Sequence, residues 1–163
     1  MRKAYIDAIG MYVPENVVTN HDLEKLMDTS DEWIRERSGI QERHHVDGEC
    51  TTDLALKASE EALEKAGMQA EEIEHIIFST MASDYFAPGG GPMMTRRLGI
   101  PGTPALDIRM ACSGFLYGLS VSKAFIESGA YNNILLITSE VQSVALDFTT
   151  AGRDTAVLFG DGA

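Results

Sequence analysis

Cys112 has the position in this chain best suited to covalent chemistry, because it joins an apolar run to an amphipathic one. Pro104 to Met110 alternates loosely and predicts a buried strand, and from Ser113 apolar residues recur at helical spacing until Gly129. A thiol at the first turn of a helix lies near free N–H groups, which favour the thiolate that attacks a carbonyl carbon. On these residues alone, the commoner alternative is a buried cysteine that acts as a small hydrophobic side chain.

Strands and helices alternate on both sides of this cysteine. Strands are predicted at Tyr5 to Val13, Glu74 to Ala82, Pro104 to Met110, Asn132 to Glu140 and Asp154 to Gly160. Helices are predicted at Asn20 to Met27, Thr29 to Gly39, Thr52 to Ala66, Pro92 to Gly99 and Ser113 to Gly129. Asn20 and Thr29 are the predicted N-caps of the first two, and Thr29 and Glu32 have capping-box spacing. Because the strands are nearly continuous apolar runs, we expect an α/β fold whose mostly parallel sheet is covered by helices on both faces.

The composition excludes several functional classes. The chain has 163 residues, enough for about one domain, and its 44% hydrophobic content is too high for a disordered protein. A net charge of −12 without a basic run argues against nucleic-acid binding. No apolar run approaches membrane-spanning length, and the first residues do not form a signal peptide. Two cysteines are too few for a disulfide framework and suit a reducing compartment, so we expect a cytoplasmic protein.

Three segments carry a family resemblance: Thr29 to His44, Leu98 to Tyr131 and Gly152 to Ala163. In this order and spacing they resemble the 3-oxoacyl-(acyl-carrier-protein) synthase III (ketosynthase III) branch of the thiolase-fold superfamily. The resemblance runs from about residue 4 to the end and covers only the first of two similar halves. It implies that residues 1–163 form an N-terminal thiolase-like half-domain and that the C-terminal half is missing from this chain, which ends just after its last predicted strand.

The resemblance also implies an activity and its residues. Cys112 matches the nucleophile that takes an acyl group from an acyl-CoA, which is then condensed with a malonyl-carrier-protein thioester. Trp33, Arg37 and Arg153 match positions that hold the adenine end of CoA, and Thr29 matches a neighbouring contact. Such a role suits an aromatic face and guanidinium planes, although Trp33 could simply pack its helix while the arginines are solvated. CoA thioester would be a substrate, with no permanently bound cofactor and no metal, and the full-length protein would be a homodimer that meets acyl carrier protein.

The family's decarboxylation step needs a histidine and an asparagine that belong to its second half. None of the four histidines here, His21, His44, His45 and His75, lies in such a motif, and structural roles fit them better. Adjacent His44 and His45 point apart on an extended segment, which argues against a metal site. We therefore predict that this chain alone accepts an acyl group on Cys112 but does not catalyse the condensation.

The segment from Asp84 to Pro92 departs from the family pattern. Family members that select acetyl primers tend to carry a phenylalanine directly before this first proline, where it closes the acyl pocket of the partner subunit. Here Ala87 takes that position and Phe86 precedes it. Loss of the ring predicts a primer longer than acetyl, unless a shift of the loop returns Phe86 to the gap.

Two other functional interpretations stay open. A head-to-head acyl-CoA condensing enzyme of the same superfamily would use the same cysteine, and a non-catalytic ketosynthase-like scaffold would not need it. A flavodoxin-type domain fits poorly, because no phosphate loop or dinucleotide fingerprint follows the first predicted strand. Whether the protein is a condensing enzyme or a scaffold of the thiolase-fold superfamily, this half of the fold should expose apolar surface where the second half would pack.

Overall fold

The computed structural model describes residues 2–163 and contains eleven helices and strands in this part of the chain. In chain order they are β1 (Val17–Thr19), α1 (Asn20–Glu24), α2 (Asp31–Ser38), β2 (Glu42–His44), α3 (Thr51–Ala66), β3 (His75–Ser79), α4 (Gly90–Arg97), β4 (Ala105–Ile108), α5 (Gly114–Ser128), β5 (Ile134–Thr138) and α6 (Arg153–Ala156). Short 3₁₀ turns occupy Ala70–Glu72, Ala111–Ser113, Ser143–Ala145 and Thr150–Gly152. None of the helices in residues 2–163 is long and apolar enough to cross a bilayer.

The chain divides into two compact units. The first, here the sheet unit, contains the residues up to Tyr12, Cys50–Glu140 and Ala163, and it holds a parallel sheet in the order β4-β3-β5. The second, here the ribbon unit, contains Val13–Glu49 and Val141–Gly162, and it holds the antiparallel pair β1-β2. The predicted parallel α/β organisation is thereby confirmed for the sheet unit.

Helices cover both faces of the three-stranded sheet. On one face, side chains of β3 and β5 share a buried cluster with residues of α3 and α4, such as Ala55 and Met94. On the other face, α5 lies against the sheet, and Gly118 is so close to β5 that an added Cβ would overlap the side chain of Leu136. All five residues of β3, the central strand, are buried as a result.

The contact face of α5 is made of small residues. Its buried residues are Gly114, Gly118 and Ser122, which lie four apart and form one strip. Bulky apolar side chains at neighbouring positions of the helix stay accessible: Phe115 is 45% exposed and Leu116 is 64% exposed. The small strip lets the helix approach the sheet closely, and the apolar surface expected for half of a fold is present on its outer side.

Two predicted strands do not form. Tyr5 to Val13 is extended but makes no ladder in the described residues; part of it lines a groove of about 500 Å³ with α3, α5 and β5. Asp154 to Gly160 begins with α6 instead of a strand. Ala156 and Val157 are both buried in the core of the ribbon unit. A helical turn allows neighbouring residues to share a core, whereas neighbours in a strand point to opposite faces.

The helix ends follow the predicted logic with two shifts of one residue. Thr19 caps α1 in place of Asn20, in a capping box with Asp22, and Ser30 caps α2 in place of Thr29. At their C-terminal ends, the predicted stops are confirmed: the residues after α2, α3 and α5 are left-handed glycines, Gly39, Gly67 and Gly129.

Candidate active site

Cys112 lies at the junction that the sequence predicts. It is the middle residue of the 3₁₀ turn Ala111–Ser113, which connects β4 to α5, and its side chain is exposed to solvent. The Ser113 N–H donates to the Met110 carbonyl at 3.0 Å and closes the turn. The alternative of a buried, inert cysteine is therefore wrong, and a reactant can reach the sulfur.

The backbone before Cys112 is strained. Ala111 has a φ of 45°, in the left-handed region, which costs a non-glycine residue about 1–2 kcal/mol. Directly after the turn, Gly114 is buried against Ser79 of β3. Cys112 thus lies between a residue in a strained conformation and a glycine packed against the sheet, and its own side chain is exposed.

The second cysteine has a different environment. Cys50 is half-buried beside α3, with its sulfur 3.6 Å from the Thr52 hydroxyl and 3.7 Å from Nη2 of Arg97. Burial, and then the neighbouring Asp53 carboxylate, raise the pKa of the Cys50 thiol above its ordinary value. Cys50 is therefore the less reactive thiol by chemistry as well as by access.

Three residues that the sequence assigns to the CoA adenine meet in the ribbon unit. The guanidinium carbons of Arg37 and Arg153 lie 4.4 and 4.5 Å from the centroid of the Trp33 ring. Arg153 is held in place because its Nη1 donates to the Asp28 carbonyl at 2.8 Å. A cavity of about 320 Å³ lies beside them, lined in part by Trp33, Arg37 and Leu158. Thr29 is half-buried in the same unit, and its hydroxyl is a buried polar group with no hydrogen-bond partner in the described chain.

Known proteins share the sequence pattern and the fold of this chain. The family model for 3-oxoacyl-[acyl-carrier-protein] synthase III matches residues 106–163. A curated relative, the beta-ketoacyl-[acyl-carrier-protein] synthase III of Chlamydia caviae, is 50% identical over 163 residues, which are 99% of this chain and 48% of that protein. The crystal structure of the Aquifex aeolicus 3-oxoacyl-[acyl-carrier-protein] synthase III has a TM-score of 0.94 at 43% identity over 99% of this chain and 51% of its own. The crystal structure of the Pseudomonas aeruginosa 3-oxoacyl-(acyl carrier protein) synthase III has a TM-score of 0.92 at 37% sequence identity, over 99% of this chain and 50% of its own.

Over almost its whole length this chain is similar to 3-oxoacyl-[acyl-carrier-protein] synthase III proteins. It spans about half the length of the curated synthase III proteins that it matches. The thiolase-like α/β fold expected from the sequence is confirmed by the solved synthase III structures.

The loop that departs from the synthase III pattern follows β3. Phe86 is fully exposed at its tip, and the peptide bond between Ala87 and Pro88 is cis. Three carboxylates outside the predicted site, Asp84, Asp107 and Glu140, hold the loop to the sheet unit. Sequence reasoning missed them because acceptors of backbone N–H groups have no fixed spacing.

The four histidines have contacts of their own in the structure. His21 pairs with Glu24, and His44 hydrogen-bonds to the Pro14 carbonyl. His45 packs on Phe148, and His75 is buried against the rings of Phe125 and Tyr131. In residues 2–163, no three His, Cys, Asp or Glu side chains converge as metal ligands would.

Proposed function

We propose that the full-length protein is an acyltransferase that condenses an acyl-CoA primer with a malonyl-carrier-protein thioester, and that this chain carries its nucleophile. The observation that supports this proposal most directly is the exposure of Cys112 on a held turn between β4 and α5. We also propose, on the resemblance alone, that the full-length protein is a cytoplasmic homodimer.

The first half-reaction is a thioester exchange. The Cys112 thiolate attacks the acyl carbonyl carbon of acyl-CoA, and a carbon–sulfur bond forms as the carbonyl electrons move to oxygen. The tetrahedral intermediate collapses and expels CoA as a thiolate, which takes a proton from solvent. Backbone N–H groups of the turn, including that of Cys112, are the local donors that could stabilise the oxyanion. No other cofactor is required for this step.

The CoA substrate would be recognised through its adenine in the ribbon unit. Trp33 offers a flat face, and Arg37 and Arg153 already occupy the space over its ring at cation–π distance. A purine that displaces one guanidinium from Trp33 can stack on the indole ring, and the displaced guanidinium can then stack on the purine or pair with a phosphate. Thr29 supplies a hydroxyl without a hydrogen-bond partner in the same unit.

The second half-reaction needs groups that this chain does not supply. Malonyl thioester loses CO₂, its carbanion attacks the acyl carbon on Cys112, and the cysteine thiolate leaves as the carbon–carbon bond forms. In the family this step uses a histidine and an asparagine of the second half. The histidines here are occupied with structural contacts, so we expect acylation without condensation from this chain.

Intact-mass spectrometry tests the proposal. Incubation with acyl-CoA should add one acyl group, the Cys112→Ser variant should not form the thioester, and the Cys50→Ser variant should behave as the wild type does. Addition of malonyl-carrier protein should then release no 3-oxoacyl product. Acylation that persists in Cys112→Ser, or the absence of acylation from the full-length protein, would overturn the assignment of the nucleophile.

A further inference from the structure

The loop between β3 and α4, residues 80–89, is fastened at both ends although it contains no regular structure. At its start, the Met81 N–H donates to the Glu140 carboxylate at 3.0 Å. At its end, the N–H groups of Gly90 and Gly91 donate to Oδ1 of Asp107 at 2.8 and 3.0 Å. These two N–H groups open α4 and have no partner within the helix, so a carboxylate there is stabilising.

Asp84 holds the middle of the same loop. Its Oδ1 accepts from the Thr51 N–H at 2.8 Å, and its Oδ2 accepts from the Thr52 N–H at 3.1 Å and from the Thr52 hydroxyl. The two N–H groups are the first of α3, a sixteen-residue helix, and both threonines are buried. Charge-assisted hydrogen bonds to a helix N-terminus fix position more firmly than contacts between neutral groups do.

The tip of the loop contrasts with this base. Phe86, two residues after Asp84, is fully exposed, and Tyr85 is also largely exposed. An exposed aromatic ring on a loop anchored by several hydrogen bonds is available for contact with a ligand or another protein segment. Phe86 and Ala87 are the two residues that the family resemblance places at the acyl chain.

We propose that Asp84 is a positioning residue for acyl-chain selection: by tying the loop to the N-terminus of α3, it fixes where Phe86 and Ala87 meet the acyl group. This inference rests on the proposed function, because it requires that the protein accept acyl groups. It goes further in assigning chain-length discrimination to a carboxylate that does not itself contact the acyl chain.

The test compares rate constants for acylation by acetyl-CoA and octanoyl-CoA in the full-length protein. Asp84→Ala removes all three acceptor contacts, Asp84→Asn keeps one acceptor oxygen, and Thr52→Val removes one donor without a change of charge. Glu60→Gln, which neutralises an exposed carboxylate on the same helix, is the matched control. The ratio of the two rate constants should move about tenfold toward one in Asp84→Ala and less in the other two variants, since one methylene of fit is worth about 10-fold or more in selectivity.

Hydrogen exchange at the amides of Thr51 and Thr52 shows whether each variant has lost the contact. If exchange becomes faster while the ratio stays at the wild-type value, or if both rate constants fall equally, Asp84 has only a structural role and the inference is overturned. Should Asp84→Ala fail to fold, Asp84→Asn and Thr52→Val decide by the same ratio. Failure of the wild-type protein to accept either acyl group would instead refute the proposed function, and the absence of any measurable acylation rate distinguishes that result from a changed ratio.

Discussion

Because α5 packs closely against the sheet, we predict that a single methyl group added at Gly114 destabilises the fold. A Cβ at this position would overlap Oγ of Ser79 and lie 3.1 Å from its Cβ. Ser79 is buried in the central strand, so neither side can move freely. Overpacking of this kind costs about 1–3 kcal/mol, and the higher helix propensity of alanine returns about 1 kcal/mol at most. Gly114→Ala should therefore lower the free energy of unfolding by about 1 kcal/mol.

Urea unfolding followed by circular dichroism measures this change, and a double-mutant cycle identifies its cause. Ser79→Ala removes the oxygen that the new methyl meets, so the cost of Gly114→Ala should nearly vanish in that background. Gly102→Ala is the matched control, because nothing lies within 4 Å of its Cβ position. The proposed close contact between α5 and Ser79 would be refuted if Gly114→Ala kept the wild-type free energy of unfolding, or if it lost the same amount with and without the Ser79 hydroxyl.

Three further predictions concern the thiols, the nucleotide cluster and a buried histidine. Iodoacetamide at neutral pH should label Cys112 well before Cys50, because Cys112 is exposed and burial raises the pKa of the Cys50 thiol. Peptide mapping measures the two labelling rates, and equal rates would contradict the prediction. CoA should quench the fluorescence of Trp33, the only tryptophan in the sequence. Arg153→Ala should weaken the affinity for CoA measured by this quenching roughly tenfold, whereas Arg35→Ala, a change on the helix that carries Trp33, should leave the affinity unchanged. Burial lowers the pKa of His75 from the ordinary 6.5, so that as the pH falls the unfolded chain binds a proton at His75 before the folded chain does. The free energy of unfolding should therefore fall as the pH drops below about 6.5, and it should fall less in the His75→Phe variant. An unchanged pH slope in the His75→Phe denaturation series would contradict this assignment.

The sequence predicts those parts of the structure that depend on local pattern. The helix over α3, the strands β3, β4 and β5 and the cysteine at the strand–helix junction all depend on periodicity and on glycine stops, and all are confirmed. Which face of α5 packs on the sheet could not be predicted from local pattern. The small residues of that face are required by close contact with Ser79 and Leu136, which are distant in sequence. Tyr5 to Val13 has the composition of a strand, but a strand forms only where a partner edge accepts its hydrogen bonds.

The candidate site shows the same division. The meeting of Trp33, Arg37 and Arg153 is confirmed by the structure, but only the family resemblance pointed to it, since Arg153 is far from the other two in sequence. No sequence pattern identified the carboxylates that hold the β3–α4 loop. An acceptor for a free helix N–H can come from any segment that folds nearby, so its position follows from tertiary structure alone.

The exposure of Cys112 and the burial of Gly114 are two aspects of one feature. Cys112 is exposed although Gly114, two positions later, packs against the sheet. The 3₁₀ turn provides that geometry, and the left-handed Ala111 admits it at a cost of about 1–2 kcal/mol. Packing of α5 along Gly114 and Gly118 brings the helix into close contact with β3 and β5 and so offsets this cost. A larger residue in the strip would therefore relax the turn and move the sulfur, so reactivity at Cys112 depends on residues that contact neither it nor a substrate.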